Sequence, residues 1–185
     1  MNRHPDVKLL DSRLIHRGRV FDVVQESLQL PSGLRQDLTL IEHPGAVGVV
    51  ALFDDASVLL VRQYRHAIGE WLLEIPAGRL ERGEDAQRGA ARELEEETGH
   101  RAERWRQLRV FYPAPGFCSE VITLFLAEGL TPVASGRRAA DEDEEFELVR
   151  LPLAEARAAV LRDAKSWIAL TELALERGRG GPRLA

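Results

Sequence analysis

At 185 residues the chain is sized for one domain, and a composition 44% hydrophobic and 30% charged supplies material for a core. No apolar run reaches the roughly 18–20 residues of a membrane span, and the charges at Arg3, Asp6, Lys8, Asp11, Arg13, Arg17 and Arg19 leave no apolar stretch for a secretory signal. The net charge of −5, with Arg101, Arg104, Arg106 and Arg109 scattered rather than gathered into a stripe, disfavours a long nucleic-acid partner, and the single cysteine, Cys118, excludes an internal disulfide and points to the reducing cytoplasm.

In chain order, residues 18–30 alternate apolar and polar side chains in places and predict an early strand. Pro31-Ser32-Gly33 is a turn signal, and residues 35–42 predict the hairpin partner. AVGVVALF (46–53) is a β-branched, nearly continuous apolar run, as in a strand buried on both faces. Asp54-Asp55 offers a turn into a second strand, SVLLVRQYR (57–65), and WLLEIPAG (71–78) predicts a shorter extended segment ending at Pro76.

From Glu84 to Thr98 alanine, arginine and glutamate take over, with Gly99 as a C-cap, which predicts a helix of about four turns. Strand character returns at 106–112, 121–129 and 146–151, separated by a polar loop at 131–145. Leu153 to Leu161 and Ser166 to Glu176 predict C-terminal helices, and residues 179–185 a frayed tail. Mostly strands, one central helix and a helical end predict an α/β/α sandwich around a mixed sheet.

The central helix carries the chemistry. At about 100° per residue, Glu93, Glu96 and Glu97 share one face, while Ala90, Ala91, Leu94 and Thr98 form a modest apolar stripe beside it. A solvated acidic face is the ordinary explanation of such a run. Here it fits poorly, because like charges at i,i+4 repel by roughly 0.2–0.5 kcal/mol. Glu95, Glu96 and Glu97 also crowd the negative end of the helix dipole. A hard divalent cation, which takes several carboxylate oxygens, would turn that liability into a site.

Gly78, Glu84, Arg92, Glu93, Leu94, Glu96, Glu97 and Gly99 fall in the order G-x5-E-x7-R-E-U-x-E-E-x-G, within GRLERGEDAQRGAARELEEETGH. This pattern resembles the Nudix box; His100, where the family usually has an aliphatic residue, is the one departure. The resemblance implies a Nudix-type fold behind an N-terminal strand extension, residues 1–43, with a hydrolase domain at 44–178. It further implies that Glu93, Glu96, Glu97 and the Ala77 carbonyl bind Mg2+ or Mn2+, and that Arg92 pairs with Glu84 and serves the catalytic centre.

Beyond the box, VRQYR (61–65), WLLEIPAGRLE (71–81) and YPAPGFCSE (112–120) resemble the ADP-ribose pyrophosphatase branch, and Pro115 stands where that branch has its marker proline. The resemblance implies hydrolysis of ADP-ribose to AMP and ribose 5-phosphate. Glu142 would be the general base and Glu144 an added metal contact, both in the acidic run 141–145. Arg62, Arg65 and Glu74 would meet phosphate and ribose, and Glu96 would be shared between metal and catalysis. It implies, too, a homodimer with exchanged N-terminal strands. Two alternatives stay open: a nucleotide-sugar pyrophosphatase of the GDP-mannose kind, and a non-catalytic Nudix-fold ligand sensor. Phe21, His43, His66 and Cys118 are read as structural or surface residues.

Overall fold

The computed structural model describes residues 4–134 and 146–178. They divide into two compact units, one built on residues up to Gly45 together with Phe111–Val121, the other on Ala46–Val110 together with the chain from Ile122 on.

The first unit is a three-stranded antiparallel meander: β1 (Lys8–Arg17), β2 (Asp22–Gln29) and β3 (Arg35–Glu42), in that order. The predicted strand at 18–30 starts later, at Asp22, after a turn in which the Gly18 amide donates to the Phe21 carbonyl at 3.0 Å. Gly33, at φ 87°, makes the β2–β3 turn that Pro31-Ser32-Gly33 announced. β1 went unrecognised in the sequence because nearly all of it is exposed, so it carries no apolar alternation. The 111–121 stretch is tied to this unit through its backbone. Ile41 donates to the Phe117 carbonyl at 2.7 Å, and Ser119 donates to the Ile41 carbonyl at 2.9 Å.

The second unit contains β4 (Ala46–Leu52), β5 (Ser57–Arg65), β6 (Glu70–Glu74), β7 (Ala77–Arg79), α1 (Ala86–Thr98), β8 (His100–Arg101), β9 (Arg104–Phe111, whose last residue belongs to the first unit), β10 (Ile122–Glu128), β11 (Thr131–Pro132), β12 (Phe146–Pro152), α2 (Leu153–Ala159) and α3 (Ala164–Gly178). Its seven-stranded sheet runs β12-β5-β4-β10-β9, with β6 on β5 and β7 on β4. β4 pairs parallel to β10 and antiparallel to β5 and β7, which makes the sheet mixed, as predicted. The single extended segment expected at 71–78 is two strands. Pro76 has no N–H to give to a ladder, and the chain changes partner from β5 to β4 around it. Inside the predicted loop at 131–145, Thr131–Pro132 pair with His100–Arg101.

The pleat of β4 explains the layers. Val47, Val49 and Ala51 pack with Leu59, Phe125 and Ala127 against Ala90 and Leu94 of α1. The alternate residues Gly48, Val50 and Leu52 point to the other face. There α3 packs on β4 and β10 and buries Ala169, Leu170 and Leu173, while α2 covers β5 and β12. Each fully buried leucine of these layers is worth roughly 1.5–3 kcal/mol of transfer free energy.

Candidate active site

α1 begins at a side-chain cap: Asp85 accepts from the Gln87 and Arg88 amides at 3.0 and 3.1 Å. It ends at Gly99, whose φ of 69° lets the amide reach back to the Glu95 carbonyl at 2.9 Å. Between these caps the helix buries Ala90, Leu94 and Thr98 as its apolar stripe requires. Ala91, placed in that stripe by its angle, is exposed instead, and its place in the buried set goes to Glu97.

Glu97 is 6% exposed, a position a glutamate holds only with partners. One of its oxygens accepts from the Ala77 amide at 2.9 Å. Glu93 lies against Gly78, so close that a Cβ on that glycine would stand 2.1 Å from the carboxyl carbon. Gly78 is therefore needed for space, and the β7 backbone and the α1 carboxylates meet without a side chain between them.

Arg92 organises the cluster. Its guanidinium donates to both oxygens of Glu84 at 3.0 Å, to Glu93 at 2.7 Å, to Glu96 at 2.9 Å and to the Arg79 carbonyl at 2.9 Å. The predicted Arg92–Glu84 pairing is present, and the same residue relieves the repulsion between Glu93 and Glu96. Those contacts, the Glu84 hydrogen bonds above all, raise the Arg92 pKa well beyond the ordinary guanidinium range. They hold the Glu84 carboxyl below the usual carboxylate range. Glu95 points elsewhere and makes a bidentate pair with Arg101.

The donor set here suits a hard divalent cation in kind: carboxylate oxygens and a backbone carbonyl, with four glutamates (Glu84, Glu93, Glu96 and Glu97) against one arginine. Among the described residues no three such side chains gather round one point; Arg92 pairs with both Glu93 and Glu96.

A second charged cluster is built on Glu74. Glu74, 1% exposed, accepts a bidentate pair from Arg65 at 2.7 Å and a further bond from Lys165. Burial alone would raise its pKa, but the Arg65 hydrogen bonds and the Lys165 charge outweigh burial and lower it. Arg65 is raised in turn, chiefly by Glu74, and it also feels the charge of Glu97. Arg65 and Glu74, separate candidates in the sequence, are thus partners of one another. Arg62 pairs with Glu147 at 3.0 Å and lies over the Trp71 ring at 5.0 Å. It helps line a cavity of about 310 Å³ with Trp71, Leu73, Val149, Arg162 and Asp163; none of the box glutamates lines it. Pro115 is exposed in the first unit, in a turn where the Phe117 and Cys118 amides return to the Ala114 carbonyl. Glu142 and Glu144 lie outside the described residues.

Sequence reasoning missed Asp163, Lys165 and Ser166. The D-x-x-S spacing signals a helix start, and Asp163 does accept from the Ser166 amide at 3.1 Å. No local pattern announces that Lys165 reaches Glu74. Of the scattered arginines, Arg106 and Arg109 pair with Glu176 and Glu172 of α3, and Arg104 lies 3.7 Å from Glu103. They form no phosphate-binding stripe.

The family model for the NUDIX domain matches residues 42–175. The chain belongs to the NUDIX family. As a Nudix hydrolase it belongs among enzymes that generally use divalent cations. It is 38% identical over 173 residues to an ADP-ribose pyrophosphatase of Bacillus subtilis (strain 168), covering 91% of this chain and 93% of that one. It is equally 38% identical over 173 residues, with the same coverage, to a methanol dehydrogenase activator of Bacillus methanolicus. A crystal structure of an ADP compounds hydrolase superposes with a TM-score of 0.79 at 25% identity, over 97% of this chain and 99% of that one. The Nudix match spans the Arg92-centred cluster, and the structural likeness extends to the strands before it. Among the described residues no helix is long and apolar enough to cross a membrane.

Proposed function

We propose that this Nudix hydrolase cleaves the diphosphate bridge of ADP-ribose, giving AMP and ribose 5-phosphate. The observation that carries the reading is the glutamate cluster of α1, held around Arg92 and laid against the Ala77–Gly78 backbone. Substrate choice follows the B. subtilis relative, whose likeness runs along nearly the whole chain.

Glu93, Glu96, Glu97 and the Ala77 carbonyl would hold Mg2+ or Mn2+. Such an ion, when bound, neutralises diphosphate charge and polarises phosphorus toward water. The chain's own residues do the positioning. Arg92 orients Glu93 and Glu96, and the Ala77 amide fixes Glu97. In the reaction a P–O bond forms to water while one bridging P–O bond breaks. The bridging oxygen leaves with the other phosphate, and the water's proton passes to Glu142, a role that rests on the resemblance alone. Arg62, exposed, paired across the surface to Glu147 and lying over the Trp71 ring, is the strand arginine proposed to turn toward phosphate, since Arg65 is held by the buried Glu74.

The protein is proposed to act in the cytoplasm as a homodimer through its N-terminal strands. Leu10, Leu14 and Ile15 of β1 are exposed apolar residues on an edge strand, a surface that favours a partner. The test of function is a panel of ADP-ribose, GDP-mannose, UDP-glucose, NADH and diadenosine polyphosphates with Mg2+ or Mn2+ and an EDTA control, scored by product. Metal-dependent AMP and ribose 5-phosphate, with the other substrates slow, is the expected result. Preference for GDP-mannose would replace the substrate and keep the chemistry. Binding without turnover on every member would replace the enzyme reading with the sensor.

A further inference from the structure

The segment Glu74-Ile75-Pro76-Ala77 bridges β6 and β7, and its hydrogen bonds reach α3, β4 and α1. The Ile75 amide donates to the Ser166 hydroxyl at 2.8 Å, the Pro76 carbonyl accepts from the Val49 amide at 2.8 Å, and the Ala77 amide donates to Glu97 at 2.9 Å. Pro76 contributes no donor and a fixed φ, so Ile75 and Ala77 are joined by a stiff link. One neighbouring donor is thus held by α3 and the next by the carboxylate of α1.

The α3 end of this link is built in depth. Ser166 is fully buried, and its hydroxyl donates to Asp163 while accepting from Ile75. Asp163 accepts from Lys165 at 3.0 Å, and Lys165 also donates to the buried Glu74. Lys165 and Ser166 together therefore fix both the side chain that opens the segment and the amide after it. Arg65, the other partner of Glu74, feels the charge of Glu97, which links the two clusters.

We propose that Lys165 and Ser166, in the first turn of α3, are positioning residues for the Glu97 carboxylate, acting on it through the Glu74–Ala77 segment. The inference rests on the reading of Glu97 as a metal-holding residue. A shift of Ile75 displaces the Ala77 amide that holds Glu97, and the carbonyl of the same residue belongs to the proposed donor set. Sites of this kind tolerate displacements of only about 0.5 Å.

The test measures Mn2+ affinity of the folded protein, from the free-ion electron paramagnetic resonance signal, beside kcat and KM on ADP-ribose. Variants are Ser166→Ala, Lys165→Met, the conservative Ser166→Thr and Lys165→Arg, and Glu97→Gln. Circular dichroism and melting confirm that each is folded. Ser166→Ala and Lys165→Met are expected to weaken Mn2+ binding about tenfold, as outer-shell changes do. They should lower kcat by a similar factor with KM changed less than twofold, and the conservative variants should recover most of both. If Ser166→Ala does not fold, Lys165→Met decides, since Glu74 keeps its Arg65 partner there. Wild-type Mn2+ affinity in the folded α3 variants, with binding weakened in Glu97→Gln, overturns the proposal alone. Wild-type affinity in Glu97→Gln overturns the metal-site reading, and the proposal with it.

Discussion

The carboxylate of Glu93 occupies the space that a side chain on Gly78 would need: a Cβ there would lie 2.1 Å from its carboxyl carbon and 2.2 Å from each oxygen. Because the obstructing atoms are the end of a flexible side chain, Gly78→Ala should fold, with Glu93 swung aside. Activity is expected to fall by at least about tenfold, in line with a misplaced catalytic group, while the melting temperature moves only a few degrees. Equal loss of both would make Gly78 a folding residue instead.

Arg92 and Glu84 are joined by two hydrogen bonds across the loop that enters α1, and both side chains are partly buried. A double-mutant cycle with Arg92→Ala and Glu84→Ala is expected to give a coupling of about 1–2 kcal/mol, typical of a bidentate pair in contact. Arg92→Ala alone should cost more than Glu84→Ala, since it also leaves Glu93 and Glu96 facing each other without their shared donor. Urea unfolding of the four proteins supplies the numbers, and a coupling near zero would sink the assignment.

Acid should unfold the protein through particular carboxylates. Hydrogen bonds from Ser57 and then Arg150 hold Asp55 down at about 2, and Glu74 and Glu84 are lowered as well. Each binds fewer protons folded than unfolded, so its stabilisation is complete above the unfolded value near 4 and is lost as pH falls through the folded value. The urea midpoint should thus hold steady above about pH 5 and decline between about pH 4.5 and 2. In Asp55→Asn the low end of that decline should be shallower.

The exposed edge of β1 carries the dimer prediction. Ile15→Lys places a charge at a 49% exposed position, where it costs a monomer little. Light scattering after size exclusion should then report a monomer where the parent chain is a dimer. A parent chain that already runs as a monomer would dispose of the exchange.

What could be read from the sequence was what is local. The box spacing places Glu93, Glu96 and Glu97 on one side of α1, and Gly99 ends that helix as read, while its start lies at the Asp85 cap rather than at Glu84. The apolar run at 46–53 likewise gave away the central strand. Depth was not legible: Ala91 of the apolar stripe is exposed, while Glu97 is buried with the Ala77 amide on its carboxylate. Nor was the pairing of Arg65 with Glu74, which follows from the β5–β6 pairing, or the reach of Lys165 across the fold, which depends on where a distant helix start comes to rest. β1 was invisible for the opposite reason, having no buried face to pattern it.

The parallel pairing of β4 with β10, Ala46 against Ile122, sets an order on synthesis. On the ribosome the AVGVVAL strand emerges long before its parallel neighbour exists, with an apolar edge open to the cell. Antiparallel partners β5 and β7 can close one side early, but the other waits for Ile122–Glu128. That interval is when the nascent chain is most exposed to aggregation. Substitutions that slow the arrival or docking of β10 should therefore lower soluble yield before they lower the stability of the finished protein.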